Sequence, residues 1–304
     1  MEIEKPFFNT SDFEQQSKEL GKGSYGTVYL VKNTKDNKNY TAKVCNINKN
    51  FDEKEQILFS RESITFCNLF HPSIVKFYGI DVKSLIKPSI LRPTIITEYF
   101  SHGSLRENIE NGKKSDSKIE LTPTKKYNIL LGISDSMRYL HEKGIVHRNL
   151  KPENIFIDSD FYPHVSDYYI SSLFPNLLTN SLKTGQIKPS IYIAPETLRF
   201  DEHYDSSVDV YAFSMIAYEI ITGKVTFKDK EGELISPNRI IEGHRPKFTK
   251  HFTKKMKNLL SKCWSNEPSE RPTFGEIFDH LSNDMTYLKE NVDEEEIYNY
   301  LKML

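Results

Sequence analysis

The residues of this chain that could do chemistry begin with a glycine-rich stretch at residues 21–28, which follows a G-x-G-x-x-G-x-V pattern. Because glycine has no Cβ atom, such a stretch lets backbone N–H groups approach a polyphosphate closely. A glycine-rich hairpin turn has the same composition, so the pattern alone is a weak signal. Its position between two strand-like runs argues against a dinucleotide fingerprint, which needs a helix after the glycines. Lys43, in the second apolar run, favours a buried partner, and Glu62 is a candidate.

A second group of polar residues lies within residues 141–154, which read His-Glu-Lys-Gly-Ile-Val-His-Arg-Asn-Leu-Lys-Pro-Glu-Asn. Ten residues later, residues 164–169 read His-Val-Ser-Asp-Tyr-Tyr. An Ala-Pro-Glu segment at 194–196, Asp209 in an apolar run, and Arg271 follow in that order. Each short segment is a weak signal by itself, and the information lies in their order and spacing.

The elements that must position these residues change in type along the chain. Up to about Phe100 the pattern is strand-rich, with β-branched and aromatic runs at residues 25–31 and 39–44, and residues 52–69 have helical spacing. Beyond Phe100, apolar spacing and helix-stop signals predict helices over residues 127–143, 207–222, 252–264, 273–281 and 293–304. The segment 168–193 has no clean periodicity, and such a long stretch inside a compact protein is usually functional or mobile.

Composition narrows the classes of function. The 304 residues include 41 basic and 42 acidic side chains, so net charge gives no reason to expect nucleic acid or an anionic membrane as partner. Three widely spaced cysteines without a CxxC pair fit a reducing compartment. The first residues lack the basic and apolar regions of a secretion signal, and no apolar run reaches the ~18 residues of a membrane span. We therefore expect a cytoplasmic protein without membrane insertion.

Together the motifs resemble the eukaryotic protein kinase superfamily, over residues 13–288. The resemblance implies an α+β, bilobal protein kinase fold, with a small β-rich N-lobe (13–97), a hinge (98–103) and a larger helical C-lobe (104–288). Residues 1–12 would be an N-terminal extension, and residues 289–304 an acidic tail that either docks on the C-lobe or stays free. Residues 151–154 are similar to those of Ser/Thr kinases, whereas residues 243–246 and 263–264 are similar to those of the tyrosine-kinase and tyrosine-kinase-like branches. Together they imply the tyrosine-kinase-like group.

The resemblance also implies an ATP site with Mg²⁺. Lys43 would bind the α- and β-phosphates, Glu62 would orient Lys43, and Thr97 would be the gatekeeper beside the adenine. Asn154 and Asp167 would ligate Mg²⁺. The residues implied to form the nucleotide site are Leu20, Gly21, Lys22, Gly23, Ser24, Tyr25, Gly26, Thr27, Val28, Lys43, Glu62, Thr97, Glu98, Phe100 and Phe156.

Two further roles follow from matched positions. Asp209 would hold the catalytic-loop backbone from beneath. Glu196 and Arg271 would form a buried ion pair, which is a structural feature with no bearing on activity.

The kinase pattern breaks at the catalytic loop. Asn149 stands where kinases carry the aspartate that accepts the hydroxyl proton, and Lys151 of the same loop is retained. A carboxamide can accept a hydrogen bond but cannot take up a proton. Tyr169 replaces the glycine two residues after Asp167, where a Cβ atom restricts positive φ and should stiffen or displace the loop. Pro189 replaces a threonine that Ser/Thr kinases bond to the missing aspartate.

Three functions remain open at this point. The first is an ATP-binding pseudokinase that acts in signalling as a scaffold or allosteric partner of another protein. The second is a weakly active Ser/Thr kinase that transfers the γ-phosphate of ATP to a protein substrate. The third is an interaction module without nucleotide, in which Thr41 and Phe156 fill the adenine space. The retained Lys43, Asn154 and Asp167 favour nucleotide binding.

Overall fold

The computed structural model describes residues 10–23, 25–46, 61–81, 85, 92–112, 121–174, 190–201, 205–224 and 235–304. Ser24 and Pro189, which the sequence analysis singled out, lie outside these ranges. The chain forms two compact units: unit 1 comprises Met1–Phe70 and Val75–Phe100, and unit 2 comprises His71–Ile74 and Ser101–Leu304. The boundary after residue 100 lies inside the predicted hinge, residues 98–103.

Unit 1, in its described residues, contains a five-stranded antiparallel sheet with the strand order β1-β2-β3-β5-β4. The strands are β1 Phe13–Lys22, β2 Gly26–Asn33, β3 Asn39–Cys45, β4 Phe77–Asp81 and β5 Thr94–Glu98. A 3₁₀ turn at Thr10–Asp12 precedes β1, and residues 61–67 are helical (α1). The two strands predicted from β-branched and aromatic runs are confirmed as β2 and β3.

One face of this sheet forms the hydrophobic core of unit 1. Side chains alternate between the two faces of a strand, so Tyr40 and Ala42 of β3 share a face with Val31, the register partner of Tyr40. These residues pack with Phe13 and Ile96 into a buried cluster. The alternate side chains of these strands, among them Lys43, therefore point to the opposite face of the sheet.

Unit 2 is mainly helical in its described residues. Its helices are α2 Leu105–Asn111, α3 Pro123–Glu142, α4 Ile170–Leu173, α5 Pro195–Leu198, α6 Ser207–Thr222, α7 Pro237–Ile241, α8 Lys254–Cys263, α9 Phe274–Asn283 and α10 Glu294–Leu301. Short 3₁₀ turns lie at Pro152–Asn154, Pro268–Glu270 and Met285–Tyr287. Among the described residues, no helix has both the length and the apolar character that a bilayer crossing requires.

Helices α3 and α6 are the most buried long helices described in unit 2, and their sequences explain why. The α6 sequence is apolar on nearly all sides, so it is buried along its length and ends at Gly223. Helix α3 starts four residues before its predicted start, because Pro123 occupies its first turn and Thr122 caps it by accepting a hydrogen bond from Lys125 N–H. Pairing of these two buried helices with α8, α9 and α10 gives the expected α+β class, with a β-rich first unit and a helical second unit.

A two-stranded ribbon of β6 Ile155–Ile157 and β7 Pro163–Val165 joins the short segment 71–74 to unit 2. Val165 N–H donates to the Ser73 carbonyl at 2.9 Å, and Ile74 forms a parallel bridge with Val165. His71 Nε2 lies 2.8 Å from Asp135 Oδ2 of α3. These bonds explain why residues 71–74 belong to unit 2 although their neighbours in sequence belong to unit 1.

The C-terminal helix α10 docks on unit 2, which resolves the alternative that the sequence left open. Asp293 caps the helix by accepting a hydrogen bond from Glu296 N–H at 3.0 Å. Ile297 and Tyr300 are fully buried. The Tyr300 ring stacks on Tyr162 with centroids 4.1 Å apart. Burial of two apolar side chains in one short helix is what holds the predicted acidic tail against the protein.

Candidate functional site

The glycine-rich stretch forms the turn between β1 and β2. Gly23 N–H donates to the Gly26 carbonyl at 2.9 Å, which closes the turn. A Cβ atom built on Gly26 would lie 2.5 Å from the Val44 carbonyl oxygen of the neighbouring strand, so no larger residue fits there. In this loop Gly21, Lys22 and Gly23 are exposed, Leu20, Thr27 and Val28 are half-buried, and Tyr25 and Gly26 are buried.

The sheet face opposite the unit 1 core carries the other predicted nucleotide residues of the strands. Val28 lies directly opposite Lys43, and Thr41 lies directly opposite Thr97. Because Thr41 and Lys43 are two residues apart on β3, all four side chains share this face. Lys43 is only 9% exposed, and its Nζ lies 5.9 Å from the ring centroid of Tyr25, a cation–π contact.

Glu62 is half-buried on α1. The same helix contacts the sheet through apolar groups, since Phe66 packs against Phe77 of β4 with ring centroids 5.8 Å apart. The orienting role predicted for Glu62 stays a prediction.

The predicted adenine-binding segment begins at the end of β5. Thr97 is 5% exposed. Glu98 N–H donates to the Lys76 carbonyl at 3.1 Å, so this donor is already used within unit 1. Phe100 is half-buried, as is Phe156, which lies on β6 of unit 2 opposite His164. Contacts of these residues with adenine stay predictions.

In unit 2, the loop after α3 is held by a single buried carboxylate, as predicted for Asp209. Asp209 Oδ2 accepts from His147 N–H at 2.8 Å, and Oδ1 accepts from Arg148 N–H at 2.8 Å. The His141 ring lies 2.9 Å from the same carboxylate. Arg148 has a positive φ of 62°, a strained conformation for a side chain with a Cβ atom. The carboxylate thus offsets the strain of a sharp turn directly before Asn149.

His147 links this loop to the strand that leads to Asp167. Its Nε2 lies 2.8 Å from the Ser166 carbonyl, which can only accept, and its Nδ1 accepts from Asn149 N–H at 3.3 Å. These two partners require the neutral ring with the proton on Nε2. Complete burial lowers the pKa of His147 below its ordinary value, because the charged ring would lose its solvation.

Asn149 lines a small groove in unit 2, together with Tyr192 and Asp209. Its Nδ2 is buried and has no hydrogen-bond partner among the residues that the structure describes. Its backbone carbonyl accepts from Asn154 Nδ2 at 2.8 Å, which anchors the loop. Lys151 lines the same groove and is half-buried, so both residues named as catalytic candidates meet here.

Asn154 and Asp167 are brought near each other by the backbone. Ser166 N–H donates to the Asn154 carbonyl at 2.8 Å, directly before Asp167. Asn154 and Asp167 are 8% and 7% exposed. With Nδ2 of Asn154 bonded to Asn149, its Oδ1 and the Asp167 carboxylate are hard oxygen donors that fit Mg²⁺. Within the described ranges no group of three or more His, Cys, Asp or Glu could hold a metal ion, so a metal here would need further ligands such as waters or phosphate oxygens.

Tyr169 touches this pair in a way that the sequence did not predict. Its backbone is right-handed, with φ of −80°, so the residue leads into α4 rather than adopting the positive φ that glycine allows. Its hydroxyl donates to Asp167 Oδ1 at 3.2 Å. Complete burial raises the pKa of Tyr169 well above its ordinary value, with the nearby Asp167 charge acting in the same direction. The phenol therefore stays a hydrogen-bond donor.

The sequence analysis also missed a partly buried charged cluster beside the groove. Arg106 Nε donates to Glu153 Oε1 at 2.9 Å, and its Nη2 donates to the Tyr192 hydroxyl. Arg106 Nη1 lies 3.0 Å from Glu219 Oε2 as an ion pair without hydrogen-bond geometry. The cluster ties α2, the 3₁₀ turn Pro152–Asn154, the segment 190–194 and α6 together. A glutamate inside the apolar α6 run was the sequence signal for it, since a buried carboxylate needs a cation.

The buried ion pair predicted between Glu196 and Arg271 is confirmed. Arg271 Nη1 and Nη2 donate to the two carboxylate oxygens of Glu196 at 2.6 and 2.8 Å. The side chains are 0% and 3% exposed. Bidentate geometry and burial make this pair part of the framework of unit 2.

Comparison with known proteins agrees with this geometry. A family profile described as "Protein tyrosine and serine/threonine kinase" matches residues 15–281. Serine/threonine-protein kinase 12 of Arabidopsis thaliana is 33% identical over 93% of this chain and 59% of its own length. Serine/threonine-protein kinase VIK of the same plant is 34% identical over 73% of this chain and 49% of its own length. Dual specificity protein kinase pyk3 of Dictyostelium discoideum is 31% identical over 76% of this chain but only 16% of its own length.

Proposed function

Because this chain belongs to the protein tyrosine and serine/threonine kinase family, whose members generally bind ATP with Mg²⁺, we propose that it is an ATP-binding pseudokinase. Its role would be that of a scaffold or allosteric partner for another protein in signalling. The observation that carries the proposal is Asn149, a half-buried amide at the position of the family's catalytic carboxylate. Since an amide cannot take up a proton, an attacking hydroxyl would find no general base there.

Retained binding groups support the nucleotide part of the proposal. Lys43 shares a sheet face with Val28 and Thr97, and its burial keeps the ammonium in a setting where an anion would be strongly attracted. In unit 2, Asn154 and Asp167 supply hard oxygen donors. Binding of ATP would stabilise the folded chain by mass action, without any need for turnover.

A weakly active Ser/Thr kinase is the second candidate, and one observation favours it. Asp209 and Asn154 hold the loop around Asn149 by hydrogen bonds of 2.8 Å, so the loop keeps its framework without the acidic side chain. General-base catalysis contributes roughly 10²–10⁴-fold, and kinases turn over at about 1–100 s⁻¹. Loss of the base alone would then leave a turnover rate between about 1 and about 10⁻⁴ s⁻¹. Positioning of the phosphates would account for such a remainder.

Phosphotransfer with radiolabelled ATP separates the two candidates. Wild type, Lys43→Ala, Asn149→Asp and the double variant Asn149→Asp/Lys43→Ala are assayed on generic protein substrates. The pseudokinase proposal expects wild type at the level of the double variant. A wild-type signal that Lys43→Ala removes, and that Asn149→Asp raises 10²–10⁴-fold, would establish the weak kinase instead. Robust wild-type turnover that is insensitive to Asn149→Asp would refute the reasoning about the missing base.

ATP binding is tested separately by thermal shift. The melting temperature of wild type should rise with ATP, and Lys43→Met should weaken that rise. Lys35→Met is the matched control, because Lys35 is an exposed lysine of unit 1 that pairs with Asp12 at the surface. Absence of any rise with ATP in wild type would contradict nucleotide binding and support the interaction module in which Thr41 and Phe156 fill the adenine space.

A further inference from the structure

The hydroxyl of Tyr169 donates a hydrogen bond to one carboxylate oxygen of Asp167, the side chain expected to bind a metal ion. Tyr169 is 1% exposed, and its Oη donates to Asp167 Oδ1 at 3.2 Å. Its ring lies edge-on to Tyr168 with centroids 5.3 Å apart and an interplanar angle of 72°. The residue therefore sits in a closed packing environment, in which its hydroxyl has no access to bulk water.

The backbone around Tyr169 keeps this hydroxyl in place. Leu173 N–H donates to the Tyr169 carbonyl at 3.0 Å, and Ile170 N–H donates to the Asp167 carbonyl at 3.1 Å. Ser171 Oγ donates to the Val146 carbonyl at 2.6 Å, which fastens α4 to the chain ahead of the loop that carries Asn149. A glycine at residue 169 would have no group that could reach Asp167. The contact is thus a property of this chain rather than of the loop in general.

A hydrogen bond to a carboxylate oxygen changes what that carboxylate can do for a metal. The bond takes up part of the negative charge and one lone pair of Oδ1, and it fixes the direction of the side chain. Mg²⁺ requires near-ideal octahedral geometry and gives up its own waters reluctantly, so it tolerates a misdirected ligand poorly. Asn154, the other donor, is neutral and cannot compensate for the charge.

We propose that Tyr169 is a positioning residue that holds Asp167 away from full metal coordination, so that nucleotide binds this chain with little help from Mg²⁺. This inference rests on the proposed ATP binding and narrows the ligand to the nucleotide itself rather than its magnesium complex. The Oη–Oδ1 distance of 3.2 Å is long for an O–H···O bond. We therefore expect the bond to lower metal affinity by about tenfold, the low end for hydrogen bonds to charged groups.

Thermal-shift titrations with ATP, in MgCl₂ or in EDTA, test the proposal on the full chain. Wild type should reach half-saturation at the same ATP concentration in both buffers. Tyr169→Phe should bind ATP about tenfold more tightly in MgCl₂ and unchanged in EDTA. Tyr127→Phe is the matched control, because Tyr127 is also fully buried and loses a hydroxyl bonded to backbone carbonyls far along the chain. Tyr127→Phe should reach half-saturation at the same ATP concentrations as wild type in both buffers. A wild-type affinity for ATP that is clearly higher in MgCl₂ than in EDTA overturns the proposal without any variant.

Direct metal binding distinguishes this inference from the proposed function. Mn²⁺, which takes the same oxygen ligands, is titrated without nucleotide, and its free concentration is followed by electron paramagnetic resonance. Tyr169→Phe should bind Mn²⁺ more tightly than wild type, and Asp167→Asn should abolish the difference. If neither wild type nor the variants respond to ATP, but Tyr169→Phe still binds Mn²⁺ more tightly than wild type, the proposal of nucleotide binding is wrong and the positioning role stands. If all proteins bind ATP but Tyr169→Phe equals wild type with both metals, the positioning role is wrong and nucleotide binding stands.

Discussion

Replacing Gly132 by alanine should loosen the C-terminal helix. Gly132 lies in α3, and a Cβ atom there would be 2.2 Å from Tyr300 Oη and 2.5 Å from Pro163 Cγ. Neither distance is possible between non-bonded atoms, and Pro163 is held in β7. Tyr300 is therefore the group that must move, although it is buried and bonded to Ser73 Oγ at 2.8 Å.

The magnitude follows from what Tyr300 would lose. Withdrawing its ring from the interior costs about 2 kcal/mol, and losing the hydrogen bond to Ser73 costs about 1 kcal/mol. Alanine favours a helix over glycine by about 1 kcal/mol, which offsets part of the loss. We expect Gly132→Ala to lower the free energy of unfolding by about 2 kcal/mol.

Urea denaturation measures the stability, and limited proteolysis reports whether α10 has been released. Gly275→Ala is the matched control, because Gly275 lies in helix α9 and its nearest neighbour to an added Cβ atom is 3.7 Å away. It should be as stable as wild type or more so. Combining Gly132→Ala with Tyr300→Phe should cost less than the sum of the two single changes, since the closest atom is gone. A Gly132→Ala protein as stable as wild type, with α10 still protected, would refute the reasoning.

Two other predictions concern buried ionisable groups. Because burial lowers the pKa of His147 below 6.5, the unfolded chain binds the extra proton below that pH, and stability should fall by up to about 1.4 kcal/mol per pH unit as pH drops. Urea denaturation at pH 7.5 and 5.5 should show a smaller change for His147→Phe, whereas equal changes would exclude His147 as the source. Glu196→Gln should cost about 3 kcal/mol in thermal or chemical unfolding, because it leaves the Arg271 charge buried without its counter-charge. A loss below about 1 kcal/mol would mean that the pair is not a stabilising element.

Local patterns in the sequence predicted much of the fold. Helix α6 has the predicted bounds, since a continuous apolar run ending at Gly223 leaves few alternatives. Predicted ends were less accurate where capping decides them, as at α8, which begins only after its Thr253 cap. Asp209 and the Glu196–Arg271 pair were predicted correctly, because ordered motifs carry the residue types that their contacts need.

The sequence by itself determined two central strands, the longer helices, the kinase family and the loss of an acidic side chain at Asn149, because these depend on residue type and on spacing along the chain. Tertiary structure alone decided that Tyr169 bonds Asp167 and that Tyr300 fills the space left by Gly132. Each of these depends on the direction of a side chain or on the approach of segments distant in sequence. Such contacts are selected by the packing of the whole unit, which no local pattern encodes.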